Sequence, residues 1–299
     1  MDDDVSLKIH PHAGSILQSR EKDLSEFFFS CIREHGRILS AGDGLILKNA
    51  PESAVTIVTL ADSRPVCVKE FRWRGWAHAM KGLFRPTQGA RTFRNGWRLR
   101  NQGIGASAPL ALASRKKCGL TESEWVIMEV IPEALEMDRY LTKKMTTPWS
   151  SEEKRGVARM FGRFMGSLHA TGIFHSDLKT CNILVSEDHR ISGGNDPHPR
   201  NSGDSGYQAV RFFLLDYDDV RFCRDVSRKH RVKNLIQLFL SVPVSIGAVQ
   251  RLRFLSEYAL HSGIGMKQRR ALAVEVLDAC RGKHILYVGL SGDVREKWD

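Results

Sequence analysis

The sequence predicts an α+β fold in two parts, a small antiparallel sheet followed by a mainly helical region. Between residues 44 and 71, short apolar runs alternate with turn residues, which is typical of consecutive strands. From residue 150 onward, apolar residues recur every three or four positions, a spacing that predicts amphipathic helices. The chain of 299 residues is long enough for one large domain or two of moderate size.

The composition is that of a soluble globular protein, with 42% hydrophobic and 26% charged residues. No run approaches the roughly 20 apolar residues that cross a bilayer. The first ten residues, MDDDVSLKIH, lack the layout of a secretory signal, so a cytoplasmic protein is expected. The six cysteines never form a C-x-x-C pair, and we expect reduced thiols rather than disulfides or a zinc site.

The predicted helices and strands divide the chain into three regions. Residues 1–40 form an N-terminal extension with one helix, in KDLSEFFFSCIREH. Residues 41–130 form the lobe that contains the sheet. In it we predict strands in GLILKN, AVTIVTL and PVCVKEF, a helix in ARTFRNGWRLRNQ and a further strand in SEWVIMEVI. Residues 131–299 form the mainly helical lobe.

The helical lobe begins with a well-marked helix. Ser150 and Glu153 have the spacing of a capping box, and the apolar pattern that follows ends at Gly172. A polar cluster, GIFHSDLKTCNILV, comes next at 172–185 and is predicted to form a loop that leads into a short strand. Residues 192–207 contain thirteen Gly, Ser, Asn, Asp or Pro in sixteen positions, which predicts a flexible insertion in a hairpin turn.

The excess positive charge lies in one segment. Residues 64–117 contain thirteen Lys or Arg and one acid, a net charge of +12 in a chain whose total is +11. Trp73, Trp76 and Trp97 are in the same segment. Basic residues interleaved with tryptophan suit a surface that binds phosphates, whether on anionic lipid, nucleic acid or a phosphorylated glycan. The alternative is an ordinary solvated basic face.

The polar cluster has the residues that phosphoryl transfer from ATP requires. A carboxylate must accept the proton of the acceptor hydroxyl, a cation must face the transferred group, and oxygen ligands must hold Mg²⁺. Asp177 would be the base, Lys179 the cation and Asn182 a ligand of ATP and Mg²⁺. Their H-x-D-L-K-x-x-N spacing resembles the catalytic loop of protein kinases, and Asp216 in LLDYDDV resembles the metal-binding Asp of the D-F-G motif.

The nucleotide side of the resemblance lies upstream. VCVKEF resembles the V-A-I-K strand of kinases, so Lys69 would hold the α- and β-phosphates of ATP. In IMEV, Met128 would line the adenine pocket, and the backbone of Glu129 and Val130 would bond the adenine edge. The order of these motifs implies a protein-kinase-like fold of two lobes.

Two departures concern the nucleotide. No acid lies between Glu70 and Glu122, so the helix before the hinge cannot offer a glutamate to Lys69, and Asn95 or another residue would have to orient it. The turn KNAPES between the first two strands of the lobe contains no glycine. Backbone amides of residues 50–54, with Ser53, would have to cover the phosphates instead.

Two further departures concern the acceptor. The loop reads His-Ser-Asp where protein kinases have His-Arg-Asp, and no A-P-E sequence follows Asp216. Only about fifteen residues separate Asp216 from the helix predicted at Arg231. The sequence therefore predicts no activation-loop switch and no platform for a protein acceptor.

These particulars resemble the bacterial lipopolysaccharide core kinases, the Kdo and heptose kinase family. The likeness covers roughly residues 40–260 and is carried by ILKN, VCVKEFR, ARTFRNGWRLRNQGIGASAPLALA, HSDLKTCNILV, LLDYDDVRF, KNLIQLFLS and RFLSEY. The resemblance implies that ATP and Mg²⁺ are used to phosphorylate an inner-core sugar of a lipid A glycolipid. It also implies a cytoplasmic enzyme that is peripheral at the inner membrane, where residues 64–117 would face anionic lipid.

Several alternatives stay open. A related kinase could act on a protein or on another alcohol, or the chain could bind ATP without turnover as a pseudokinase. Nucleic-acid binding is not expected, because the basic segment contains no recognisable nucleic-acid module. The sequence indicates neither the sugar and its hydroxyl, nor the oligomeric state, nor a role for residues 260–299.

Overall fold

The computed structural model describes residues 5–18, 23–60, 63–72, 85–117, 119–187, 210–289 and 292–298. The insertion predicted at 192–207 lies outside these ranges, as do Trp73 and Trp76. The chain forms two compact units, the first made of Met1–Arg100 and Ser107–Ile131 and the second of Asn101–Ala106 and Pro132–Asp299. Within the described ranges, every helix is too short or too polar to cross a membrane. The three predicted regions stay a prediction.

The first unit is built on one antiparallel sheet of six strands in the order β1-β5-β6-β4-β3-β2. The strands are β1 (Val5–Ile9), β2 (Leu45–Ala50), β3 (Ser53–Val58), β4 (Val66–Arg72), β5 (Pro109–Lys117) and β6 (Leu120–Glu129). The helices, numbered within the described residues, are α1 (Ala13–Leu17), α2 (Leu24–Ala41) and α3 (Gln88–Asn101). In the N-terminal extension, for which one helix was predicted, residues 5–17 also form β1, which pairs with β5, and α1, which follows it.

Helix α2 covers one face of this sheet. The Asp23 carboxylate caps the helix by accepting from the Ser25 amide at 2.9 Å. Phe28 and other apolar side chains of α2 are buried with Val66 and Val68 of β4. Because side chains alternate along a strand, Lys69 and Phe71 lie on the opposite face, where the Lys69 amine is 4.9 Å from the Phe71 ring centroid.

The second unit is mainly helical, with short strands between the helices. Its helices are α4 (Met137–Met145), α5 (Ser151–Ala170), α6 (Arg228–Phe239), α7 (Ala248–His261) and α8 (Met266–Cys280). Its strands are β7 (Ala134–Glu136), β8 (Ile173–His175), β9 (Ile183–Ser186), β10 (Arg211–Leu214), β11 (Val220–Phe222), β12 (His284–Gly289) and β13 (Gly292–Lys297). They form the sheets β10-β9-β7, β11-β8 and β12-β13. The predicted α+β class is confirmed.

Helix α5 begins with the predicted capping box. The Ser150 hydroxyl accepts from the Glu153 amide at 3.1 Å, and the Glu153 carboxylate accepts from the Ser150 amide at 2.8 Å. Further along, α5 packs closely on α7 because Gly162 has no side chain: a Cβ there would lie 2.6 Å from the Phe254 carbonyl oxygen.

The C-terminal residues form a β-hairpin. Strands β12 and β13 pair from His284 opposite Lys297 to Gly289 opposite Gly292. The buried Asp138 carboxylate of α4 accepts from the Val288 amide at 3.0 Å. The hairpin is therefore tied into the helical core of the second unit.

Candidate active site

The predicted catalytic loop runs between strands β8 and β9. Strand β8 pairs with β11, with His175 opposite Val220, and β9 pairs with β10. The chain enters β8 through Gly172, which has a φ of +77°. A Cβ at this position would lie 2.0 Å from the Cys223 carbonyl oxygen, so only glycine permits the close crossing of the two chains here.

His175 links the predicted catalytic loop to the residue that precedes Asp216. Its Nε2 lies 2.9 Å from the Leu215 carbonyl oxygen, and its Nδ1 lies 3.2 Å from the Asp177 amide nitrogen. Because an amide can only donate, Nδ1 accepts and Nε2 carries the proton. Burial lowers the pKa of His175 below its ordinary value, which is consistent with a neutral ring. His175 therefore fixes the backbone of Asp177, the predicted base.

Asp177, Lys179 and Asn182 come together in the loop. The Lys179 amine lies 3.0 Å from Oδ1 of Asp177 and 3.1 Å from Oδ2, and both side chains are about half exposed. The Asn182 amide nitrogen donates to the Asp177 carbonyl oxygen at 2.8 Å. The loop thus presents a carboxylate and a cation side by side.

Asp216 follows β10 in a backbone conformation that few residues adopt. Its φ and ψ are 48° and 41°, in the left-handed region that Asp tolerates better than most side chains. It is exposed, and it precedes a short 3₁₀ turn, Tyr217–Asp219. The Ser176 hydroxyl donates to the Asp219 carbonyl oxygen at 2.7 Å. The serine that replaces the usual arginine therefore fixes the segment after Asp216 to the loop.

Helix α6 anchors the loop with polar side chains that the sequence analysis did not assign. Asn234 donates to the His175 carbonyl oxygen at 2.7 Å. Gln237 donates to the Ser176 carbonyl and accepts from the Leu178 amide, at 3.1 and 3.3 Å. The Ser241 hydroxyl, just after the helix, accepts from the buried Thr180 amide at 3.0 Å. The available signal was their spacing of three and four residues, which places polar groups on an otherwise apolar helix face.

A buried histidine, His169, forms a hydrogen bond with Asn234. Since Asn234 donates through its amide nitrogen, its Oδ1 accepts from Nε2 of His169 at 3.1 Å. The Tyr258 hydroxyl then donates to Nδ1 of His169 at 2.8 Å. Burial lowers the pKa of His169 to about 4, so the ring is neutral at physiological pH.

The nucleotide-binding residues predicted upstream lie in the first unit. Lys69 is on β4, opposite Val55 of β3 and Val126 of β6. Asn95, the suggested orienting residue, is buried in α3. The buried carboxylate of Glu124 on β6 accepts from the Gly89 amide at 2.9 Å and so holds the start of α3. A carboxylate from β6 therefore binds the N-terminus of this helix.

Met128 and its two neighbours end strand β6. Met128 is buried, and Glu129 and Val130 are half-buried. The Glu129 amide already donates to the Ala108 carbonyl at 2.9 Å, and the Glu129 carbonyl accepts from the Ser107 hydroxyl. A donor for the adenine edge would therefore have to come from Val130. The roles assigned to these residues, and to the loop residues, stay predictions.

The second unit has oxygen ligands that suit Mg²⁺. Asn182 offers its amide oxygen and Asp216 an exposed carboxylate. Among the described residues there is no cluster of three or more His, Cys, Asp or Glu side chains that could hold a metal ion. A pair of protein oxygens nevertheless fits Mg²⁺, because this ion usually retains waters and binds substrate phosphates through its remaining positions.

Comparisons with known proteins agree with this architecture. A solved structure of WaaP in complex with acyl carrier protein superposes with a TM-score of 0.58 over 92% of this chain and 97% of that one, at 16% identity. This likeness shows a protein-kinase-like fold. Residues 52–258 match the model of the lipopolysaccharide kinase (Kdo/WaaP) family. The chain belongs to this family and is a phosphotransferase, and membership implies the use of ATP.

Two curated relatives carry a more specific name. The lipopolysaccharide core heptose(I) kinase WaaP of Pseudomonas aeruginosa is 24% identical over 216 residues, which cover 69% of this chain and 74% of the relative. The protein of the same name from Escherichia coli is 25% identical over 163 residues, or 54% of this chain and 56% of the relative. The predicted family is confirmed.

Proposed function

We propose that the protein transfers the γ-phosphoryl group of ATP to a sugar hydroxyl in the inner core of lipopolysaccharide, on a lipid A glycolipid. The acceptor sugar is heptose or Kdo, and the names of both curated relatives favour heptose. The observation that carries the proposal is the loop geometry within the family match, with the half-exposed carboxylate of Asp177 held beside Lys179.

Asp177 acts as the general base. Its carboxylate accepts the proton of the acceptor hydroxyl as that oxygen forms a bond to the γ-phosphorus, and the bond from this phosphorus to the bridging oxygen of ADP breaks. His175 fixes the orientation of Asp177 through the backbone amide of the aspartate. Helix α6 fixes the loop itself through Asn234 and Gln237. Most of the acceleration comes from positioning and electrostatics, because no covalent intermediate is needed.

Cationic groups balance the charge of the phosphates. Lys179 faces the transferred group, and Lys69 in the first unit holds the α- and β-phosphates. Asn182 and Asp216 would be the ligands of Mg²⁺, which neutralises charge on the phosphates when it is bound. The adenine would lie against Met128 with its edge at Val130.

The acceptor is anionic, and the basic segment at 64–117 suits it. A lipid A glycolipid lies in an anionic membrane, where each basic residue near the surface contributes about 1 kcal/mol. Arg91, Arg94 and Arg98 lie on α3 within the described part of this segment. We therefore place the protein at the cytoplasmic face of the inner membrane as a peripheral enzyme.

The rival acceptor is a protein. The segment from Asp216 to α6 is described throughout, and it has eleven residues, 217–227, because α6 begins at Arg228 and not at the predicted Arg231. Part of it, β11, is already paired with β8. So short and occupied a segment leaves little chain on which a peptide could be presented, which favours the glycolipid.

The test measures phosphate transfer from ATP with Mg²⁺ to three purified acceptors that lack core phosphate: lipid A with Kdo alone, lipid A with Kdo and heptose, and a generic protein. The variants are wild type, Asp177→Asn and, as a matched control, Asp225→Asn, which removes an exposed acid of the same unit. We expect transfer to the heptose-containing acceptor and a kcat lower by about 10²- to 10⁴-fold in Asp177→Asn.

The outcomes separate the alternatives. Phosphate on the Kdo-only acceptor would move the site of transfer to Kdo. Transfer to protein in preference to glycolipid would overturn the proposal in favour of a protein kinase. ATP binding without transfer to any acceptor would leave a pseudokinase. Equal activity of Asp177→Asn and Asp225→Asn would remove Asp177 as the base.

A further inference from the structure

The turn between β2 and β3 differs from a phosphate-covering loop in length as well as in composition. Ala50 pairs with Ser53, so the turn consists of Pro51 and Glu52 alone. Proline has no backbone N–H, which leaves the turn with a single amide donor, that of Glu52. A glycine-rich loop covers phosphates with several backbone amides, and this turn cannot do the same.

The turn is instead held from the end of β4 by Arg72. The Arg72 backbone amide donates to the Glu52 carbonyl oxygen at 3.1 Å. Its guanidinium donates to the Ala50 carbonyl oxygen at 3.0 Å and to the Asn49 side-chain oxygen at 3.1 Å. Arg72, three positions beyond Lys69 on the same strand, therefore forms hydrogen bonds with three residues of the β2–β3 hairpin.

The guanidinium of Arg72 is itself fixed by Glu70. Its Nε donates to the Glu70 carboxylate at 2.7 Å, and the carboxylate is 15% exposed. Such charge-assisted bonds are about twice as strong as bonds between neutral groups. Because side chains alternate along a strand, Glu70 and Arg72 share one face of the sheet, and Lys69 lies on the other.

Helix α2 supports Glu70 through a buried histidine. Nδ1 of His35 lies 2.7 Å from the Thr56 hydroxyl, and Nε2 lies 3.6 Å from the Glu70 carboxylate. Burial alone would raise the pKa of Glu70, but the neighbouring His35 and Arg72 outweigh it and lower the pKa. The carboxylate that orients Arg72 is therefore ionised.

We propose that Arg72 is a positioning residue for the nucleotide, which holds the β2–β3 turn closed against the end of β4 and so sets where the phosphates lie relative to Lys69. A side-chain clamp on the opposite face of the sheet thus orders a turn that has a single amide donor. The inference rests on the proposed ATP site at Lys69.

The test compares Arg72→Gln with Arg37→Gln. Both remove one positive charge from the first unit, and Arg37 also makes bidentate bonds, to Glu34 and Asp43, but on the exposed side of α2. Affinity for a non-hydrolysable ATP analogue with Mg²⁺ is measured by calorimetry, alongside the KM for ATP and kcat. We expect Arg72→Gln to weaken analogue binding and raise the KM for ATP by about tenfold, with kcat within about twofold.

Two further variants keep the test decisive if Arg72→Gln folds poorly. Asn49→Ala removes only an exposed acceptor on β2 beside the turn, and we expect a loss of about threefold in the same direction. Arg72→Lys keeps the charge but can reach either Glu70 or the turn, so an intermediate affinity is expected. Equal analogue affinity in wild type, Arg72→Gln and Asn49→Ala would overturn the proposal. Wild type that binds the analogue but phosphorylates no glycolipid would instead count against the proposed acceptor alone.

Discussion

The catalytic loop of the second unit and the Lys69 strand of the first differ in how closely they follow the protein-kinase pattern. The loop keeps the acid, the lysine and the asparagine at the kinase spacing, and one helix bonds its backbone at several points. Around Lys69, by contrast, α3 has no acid and the β2–β3 turn has no glycine. The part of the molecule that would perform the chemistry follows the pattern, and the part that would hold the nucleotide does not.

The difference has a physical reason. A general base must reach one proton on one oxygen, so its geometry tolerates little variation. A triphosphate presents many equivalent oxygens, and either point charges or backbone amides can bind them. The loop should therefore be sensitive to small changes in its supports, whereas the first unit should absorb comparable changes. Three measurements test this contrast.

The largest effect is expected at Gly172, compared with Gly119 of the first unit. Both glycines have a φ of +77°, so alanine is strained equally at either position. A Cβ at Gly172 would lie 2.0 Å from the Cys223 carbonyl oxygen, whereas one at Gly119 would meet no described atom within 4 Å. We expect Gly172→Ala to cost about 4 kcal/mol of unfolding free energy and Gly119→Ala about 1 kcal/mol.

Denaturant unfolding and kcat are measured for both glycine variants. Gly172→Ala should also lower kcat, because β8 and β11 must shift apart beneath the catalytic loop. Similar losses of stability in the two variants would mean that the β8–β11 crossing is not a tight constraint. The expected difference in sensitivity between the loop and the first unit would then be contradicted.

Local patterns in the sequence predicted much of this structure. The capping box at Ser150 and the order of strands β2, β3 and β4 depend on neighbours in sequence, which composition and spacing reveal. The loop residues were also found this way, because Asp177, Lys179 and Asn182 lie within six positions of one another.

Long-range pairing was not predictable in the same way. Val5 pairs with Arg115, and nothing in a polar N-terminal stretch indicates a partner more than a hundred residues away. The C-terminal hairpin likewise depends on Asp138, a buried acid whose sequence neighbours suggest an ordinary helix start. The clamp at Arg72 was missed because it consists of contacts between a strand and a turn, and neither has a recognisable motif.

A smaller effect is expected at Ser241, compared with Ser256. Ser241 is buried and accepts from the Thr180 amide, whereas the exposed Ser256 hydroxyl only donates to the Leu252 carbonyl of its own helix. Ser241→Ala leaves a buried N–H without an acceptor, and we expect a cost of about 2 kcal/mol. Ser256→Ala should cost less than about 0.5 kcal/mol.

The serine variants also test whether the contact between Ser241 and the loop affects the rate of phosphoryl transfer. We expect Ser241→Ala to lower kcat by about three- to tenfold, since a displacement of about 1 Å near the reacting groups is enough to slow a reaction considerably. The affinity for an ATP analogue should not change. A loss of stability without any change in kcat would show that α6 holds the fold but not the geometry of Asp177.

The smallest effect is a pH dependence that arises from His169. Burial lowers its pKa from 6.5 to about 4 on folding, so the unfolded chain binds a proton more readily than the folded one. Stability from the neutral ring is complete above pH 6.5 and is lost as the pH falls from 6.5 towards 4. We expect a loss of about 1 kcal/mol per pH unit between pH 6 and pH 5.

The His169 contribution can be isolated with His169→Gln, which keeps a donor for Asn234 but does not titrate. Other groups also destabilise the fold in acid, among them Glu70, whose lowered pKa gives a loss of the same sign. The difference in pH slope between wild type and His169→Gln therefore measures His169 alone. Parallel slopes would mean that the His169 ring is solvated or charged in the folded state, and that Asn234 and the loop it anchors lack the buried neutral support described above.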